Sequence, residues 1–123
     1  MKKFTFGFKL LLVFFCLTMV NAQAQNSVEK YDLLLKFGNV NVTENVDQYA
    51  AAFNVADQEL VNGNYYKIIQ FYHLPTNAER SILENMGIEF LDYIPNRAYT
   101  VSIPGSFELS SLRDFDVRSI VDI

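Results

Sequence analysis

Cysteine is nearly missing from this 123-residue chain, which has one, Cys16. It sits inside a segment with the marks of a cleaved leader, so the mature chain has no thiol. That excludes disulfides, thiolate catalysis and cysteine metal ligation. Histidine is as scarce, with His73 alone. One imidazole builds no histidine metal cluster, and neither Ser81 nor Ser106 lies in a nucleophile-elbow sequence that would make it a partner. His73 therefore reads as a structural or surface residue at a strand end. There is no Gly-rich phosphate loop, and the acids do not follow the spacing of a calcium loop. Asp114 and Asp116, flanking Phe115, read as turn and capping residues. No repeat, low-complexity tract or long linker interrupts the chain. The expectation is a non-enzyme with no cofactor and no metal.

Basic charge is thin as well. Ten Lys and Arg face 14 Asp and Glu. Three of the lysines, Lys2, Lys3 and Lys9, precede an apolar run from Leu10 to Val20 that only Thr18 interrupts, and Ala22-Gln23-Ala24 follows. This is the order of a secretory signal peptide, with cleavage expected after Ala24. The run is short for a hydrocarbon core of ~30 Å, and the bulky Val13-Phe14-Phe15 ahead of Cys16 does not suit lipoprotein cleavage. Export to the periplasm or the medium is expected, with no membrane attachment after cleavage. Three basic residues leave with the leader and no acid does, so seven basic residues face 14 acidic ones, a net charge of −7. Such a surface does not attract nucleic acid, whose phosphates need Lys and Arg. The remaining 99 residues allow one domain. A domain of that size buries only ~60–70% of its unfolded surface, so a partner has stability to add.

Hydrophobic patterning divides the mature chain in two. Residues 25–64 form an N-terminal extension. In it Tyr31–Phe37 reads as a short strand ended by Gly38-Asn39. Val46, Tyr49, Ala50 and Phe53 share one helical face, with Thr43 or Asn45 as cap. Asn62-Gly63 is a hairpin turn. Residues 65–123 read as strand–helix–strand–strand–helix–strand. Tyr65–Tyr72 is apolar on both faces, with Tyr65, Ile69 and Phe71 on one and Tyr66, Ile68 and Tyr72 on the other. It is therefore central in its sheet or covered on its second face. Thr76 and Glu79 make a capping box for a helix whose buried stripe is Ala78, Ile82, Leu83 and Met86, ended by Gly87. Ile88–Ile94 and Arg97–Ile103 are strands joined at Pro95-Asn96. Ser106 caps a short helix turning Leu109 and Leu112 inward, and Val117–Ile123 closes the sheet. The expected fold is α+β. It is a ferredoxin-like β-α-β-β-α-β sandwich, a four-stranded antiparallel sheet with two helices on one face, preceded by a small β/α extension. Along Arg97–Ile103 the large Tyr99, Val101 and Ile103 alternate with the small Ala98, Thr100 and Ser102. The small set is expected on an open face, where another surface can approach closely.

Three segments carry a family resemblance. They are Tyr66-Lys67-Ile68-Ile69-Gln70-Phe71, then Glu89-Phe90-Leu91-Asp92-Tyr93-Ile94-Pro95-Asn96-Arg97-Ala98-Tyr99-Thr100, and Asp116-Val117-Arg118-Ser119-Ile120. Together they resemble the first strand, central hairpin and closing strand of the propeptide domain of secreted bacterial subtilisin-like serine proteases. The resemblance covers about half the chain. It implies a folding chaperone and temporary inhibitor that lays its open sheet face on two helices of the protease catalytic domain, in cis or in trans. It places Ala98, Thr100 and Ser102, with Asn96 of the hairpin, on the protease-facing side. Asp92 becomes a candidate cap for a protease helix N-terminus. The family's inhibitory tail would follow Ile123, and the chain carries no catalytic Asp, His and Ser segments. The expectation is thus the propeptide region of a subtilase with its catalytic domain absent. The alternatives are a free-standing secreted subtilase inhibitor and an unrelated exported α+β binding module. Residues 31–61 folding over the second sheet face would bury the docking surface and argue against both protease readings.

Overall fold

The computed structural model describes residues 31–123. The signal peptide expected over 1–24 and the polar residues up to Lys30 lie outside the described residues. The rest is α+β, with a two-stranded and a four-stranded antiparallel sheet.

The large sheet grows from the Asn-Gly turn. Asn62 and Gly63 both take positive φ, 53° and 84°, giving the mirror-image turn whose twist matches antiparallel strands. Val61 bridges Asn64 across it, and β3 (Asn64–Phe71) starts there. β4 (Glu89–Ile94) and β5 (Ala98–Pro104) form the next hairpin, and β6 (Val117–Asp122) closes the sheet in the order β4-β5-β3-β6. β3 is internal, as its two apolar faces require. On the first face Tyr65, Ile69 and Phe71 pack with Val101, Ile103, Val117 and Ile120.

Helices lie on that first face. α1 (Val46–Ala52) supplies Val46, Tyr49 and Ala50, and Phe53 follows at its end, all against the main core as the spacing predicts. Asn45 stands at the N-cap position, but its side chain makes no cap bond. It pairs instead with β6, its Nδ2 donating to the Ile120 carbonyl at 2.9 Å and its Oδ1 accepting from the Ile120 N–H at 2.8 Å. Its own N–H donates to the Arg118 carbonyl at 3.2 Å. One asparagine thus satisfies backbone groups on the outer edge of β6 that a further strand would otherwise need to meet.

α2 (Asn77–Asn85) has the predicted capping box, Thr76 with Glu79. It ends in a Schellman motif, with Ile88 N–H donating to the Leu83 carbonyl and Gly87 N–H to that of Glu84. Its buried stripe differs from the expectation. Leu83 is buried, but Ala78 is exposed, Ile82 is 50% exposed and Met86 41%. The helix is rotated so that Arg80 lies over Phe90 and Tyr99, its guanidinium carbon 4.6 and 5.6 Å from their ring centres. An Arg stem covers apolar surface while its head meets the π-faces, so it takes the place assigned to an aliphatic side chain.

The last connection is also tighter than expected. A 3-10 helix, Leu109–Phe115, begins after Glu108, not at Ser106. With three residues per turn, Leu109 and Leu112 stack on one side, and both are buried. Asp116, left-handed at φ 57°, turns the chain into β6.

The largest departure concerns the second face. β1 (Leu33–Leu35) and β2 (Gly38–Val40) form a hairpin that turns at Lys36-Phe37, so Gly38-Asn39 opens the second strand and is not the turn. Leu33 and Val42 pack on Ile68, Ile94 and Ala98, with Leu35, Val40 and Val121 around them. The face expected to be open is therefore covered by the chain's own hairpin. Burying Leu33 and Val42, and Leu35 and Val40 in part, favours covering a face that already carries Ile68 and Ile94, since a fully buried aliphatic side chain contributes ~1.5–3 kcal/mol.

Candidate functional site

The second face is built on a polar centre inside an apolar rim. Gln70, fully buried on β3, faces it. Its Nε2 donates to the carbonyls of Tyr31 at 2.7 Å and Asn96 at 3.1 Å. Its Oε1 accepts from Arg118 Nη1 at 2.9 Å and from the Ser119 hydroxyl at 3.2 Å. A buried amide with four partners is satisfied at both ends. Those partners come from the extension, the β4–β5 turn and β6, so Gln70 ties three parts of the chain together. The turn needs this support. Asn96 and Arg97 both take positive φ, 71° and 67°, which non-glycine residues hold only when the surroundings over-determine them. Phe71 N–H donates to the Arg97 carbonyl at 2.8 Å, and Asn96 Nδ2 donates to the Asp32 carbonyl at 2.6 Å.

The five residues expected on a protease-facing side are distributed unequally here. Ala98 is fully buried in the small cluster beneath Leu33 and Val42. Asn96 anchors the extension through Asp32. Ser102 is buried, its hydroxyl accepting from Asn64 Nδ2 at 3.1 Å. Thr100 is half-buried opposite Ile68. Asp92 is exposed on β4, at the register shift between Phe90 and Tyr93. Tyr66 on β3 is 40% exposed, and on β4 Leu91 is 42% and Tyr93 51% exposed.

Tyr31 was not singled out by the sequence. Its ring lies near two guanidinium carbons, Arg118 at 4.3 Å and Arg97 at 5.5 Å. It meets Tyr72 edge-on at 6.0 Å. The Tyr72 hydroxyl, hydrogen-bonded to Glu44 and partly desolvated, is pushed up to about 12. Arg118 also donates to the Val42 carbonyl at 2.7 Å. A signal for this cluster was present: a Gln and an Arg on an apolar sheet must find partners, and the extension supplies two of them, the Tyr31 and Val42 carbonyls.

A second polar group lies on the first face, at the end of the sheet nearer the Asn62-Gly63 turn. Lys67 is buried, and its Nζ donates to Asp122 at 2.6 Å and Gln58 at 2.7 Å. Tyr49 donates its hydroxyl to the same Asp122 carboxylate. Hydrogen bonds from Lys67 and then Tyr49 hold the Asp122 carboxyl below the usual carboxylate range. The Tyr65 hydroxyl nearby is buried without a hydrogen-bond partner among the described residues, and burial pushes it up to about 12. An open cleft of ≈ 440 Å³ borders the group, lined by Gln58, Glu59, Val61, Tyr66, Lys67 and Ile123 among others. An ammonium engaged by a carboxylate is no activated nucleophile, so the geometry is that of an ion pair closing the sheet. His73 pairs with Asp116 at 3.1 Å on the exposed surface. Among the described residues, no group of three or more His, Cys, Asp or Glu gathers to hold a metal ion, and no helix is long and apolar enough to cross a membrane.

Residues 34–123 match the family model described as a domain of unknown function, DUF8729, and the chain belongs to that family. No curated protein and no solved structure matches it.

Proposed function

We propose that this member of the family is an exported, non-catalytic protein-binding domain whose partner is the catalytic domain of a subtilisin-like serine protease. It would act as a propeptide does, assisting folding and then inhibiting. The supporting observation is the antiparallel strand order β4-β5-β3-β6, with helices on the first face. That order fits a ferredoxin-like split β-α-β sandwich, the finer fold belonging to this proposal, with a 3-10 helix in the second crossover. The leader expected over residues 1–24 fits export, and the acidic mature chain fits a protein partner better than a nucleic acid.

Contact is assigned to the part of the second face that the hairpin leaves accessible, with Thr100, Tyr66 and Leu91 at its centre and Asp92 at its rim. Asp92 would meet the positive end of a partner helix. Ala98 and Ser102 support that surface from below. The test adds the chain from Gln25 onward to a subtilisin-like protease, once during refolding and once in its active form. Recovered activity should rise in the first case and fall in the second. Asp92→Asn should weaken binding by about 1 kcal/mol, about fivefold in Kd; an unchanged constant removes Asp92 from the contact. The covered second face favours another reading, an exported α+β module for an unrelated protein. No effect on refolding and no inhibition would select it.

A further inference from the structure

We infer that the β1–β2 hairpin is a hinged flap on the second sheet face, and that it competes with the protein partner for that face. The inference rests on the reading of this face as a docking surface.

The flap's attachments are uneven. At its base the polar ties converge: Gln70 holds the Tyr31 carbonyl, Asn96 holds that of Asp32, and Arg118 holds that of Val42. Asn41 Nδ2 donates to the Asp32 carboxylate at 2.7 Å and closes the base on itself. Beyond the base the ties stop. β1 and β2 pair with each other but not with the large sheet. Among the described residues, no hydrogen bond joins Leu33–Val40 to the four-stranded sheet. The body is held by Leu33, Leu35 and Val40 against the small cluster, while Phe37 at the tip is 85% exposed. This small cluster is distinct from the main core on the first face. A region with few buried apolar contacts, no shared backbone ladder and its own small core is suited to open below the global unfolding free energy.

What the flap covers is suited to a partner. Ile68, Ile94 and Ala98 lie beneath it, and Tyr66 and Thr100 continue the same face beyond it. With the tip raised and the base kept, the apolar strip would extend from the exposed Tyr66 to Ala98. A partner offering an apolar, close-packing surface could then replace Leu33 and Leu35 contact for contact. The expectation that Ala98 meets a partner is recovered in this open form alone.

Native-state amide exchange on the chain from Gln25 onward tests the flap without any partner. A two-stranded hairpin this short does not persist in water by itself, so a raised flap loses protection. The Leu33–Val40 amides should exchange about a hundredfold faster than those of β3 and β5, with little denaturant dependence. If they exchange with the same opening free energy and the same denaturant dependence as β3 and β5, the hairpin is plain core and the inference is wrong. Since the mature chain has no cysteine, a thiol probe gives a second reading. Ala98→Cys should react with a disulfide reagent much faster than Val101→Cys beneath the helices; equal rates would again overturn the flap. A subtilisin-like catalytic domain with its nucleophilic serine replaced supplies the last arm. Binding that leaves hairpin protection unchanged overturns the competition. Absence of binding removes the proposed partner, while the flap still stands or falls on the exchange and thiol results.

Discussion

Tyr65 carries a buried hydroxyl with no hydrogen-bond partner among the described residues. A buried polar group without a partner costs its full desolvation, while its removal leaves a well-packed ring. Tyr65→Phe should therefore raise stability by about 1 kcal/mol in a denaturant titration. Burial makes ionising the phenol costlier in the fold than in the unfolded chain, so stability falls as pH rises from 10 to its native value of about 12, and the same substitution should also flatten the alkaline side. Gly87 is constrained in the opposite sense. Its φ is +100°, and a Cβ there would lie 2.7 Å from Pro104 Cγ. Gly87→Ala should cost about 1–2 kcal/mol, read from the shift in unfolding midpoint. The glycine's role was legible because a capping box and an apolar run set the helix end on it. The demands of Gln70 were not, because they become visible only when Tyr31, Asn96 and Arg118 converge from positions far apart in sequence.

Apolar spacing gives the buried face of α1 but not that of α2. α1 has four apolar residues at helical spacing, and all four pack inward. α2 is apolar at Ile82 and Met86, yet the helix turns Arg80 toward the aromatic rings of β4 and β5. Local sequence fixes where a helix starts and stops, but its rotation is set by the surface beneath it. The same limit hid the hairpin: Leu33 and Val42 are ordinary apolar residues until Ile68 and Ala98 provide somewhere to bury them. Asn45 is a further case, chosen as a cap by residue type but used as a strand substitute. Ile120 is buried, and both its backbone groups meet that one side chain. Asn45→Ala should cost about 2 kcal/mol by leaving them unpaired. Thermal denaturation of the variant would check this, and a loss of a few tenths would mean that water takes the place of the amide.

At the scale of the molecule, the extension packs against both faces of the sheet, Val46 to Val55 on the first and Leu33 to Val42 on the second. Acid should loosen the fold at the Lys67 ion pair. The Asp122 carboxyl is held low by Lys67 and Tyr49, so the stability it contributes is complete above its ordinary value of 3.8 and is lost as pH falls through the depressed native value. Asp122→Asn should lower stability near neutrality and flatten the fall on the acid side, in denaturant titrations from neutral pH to about 2. An unchanged acid slope would assign the pH dependence to other carboxylates. The rims of the sheet have a separate consequence. The outer rim of β6 is stoppered by the Asn45 amide. That of β4 is kinked by its register shift and carries the exposed acids Glu89 and Asp92. Neither presents a straight row of free amides on which a second copy could add strand to strand. The sheet is thereby kept from adding copies edge to edge and seeding fibrils, and Asn45 guards against aggregation as much as it holds α1 in place.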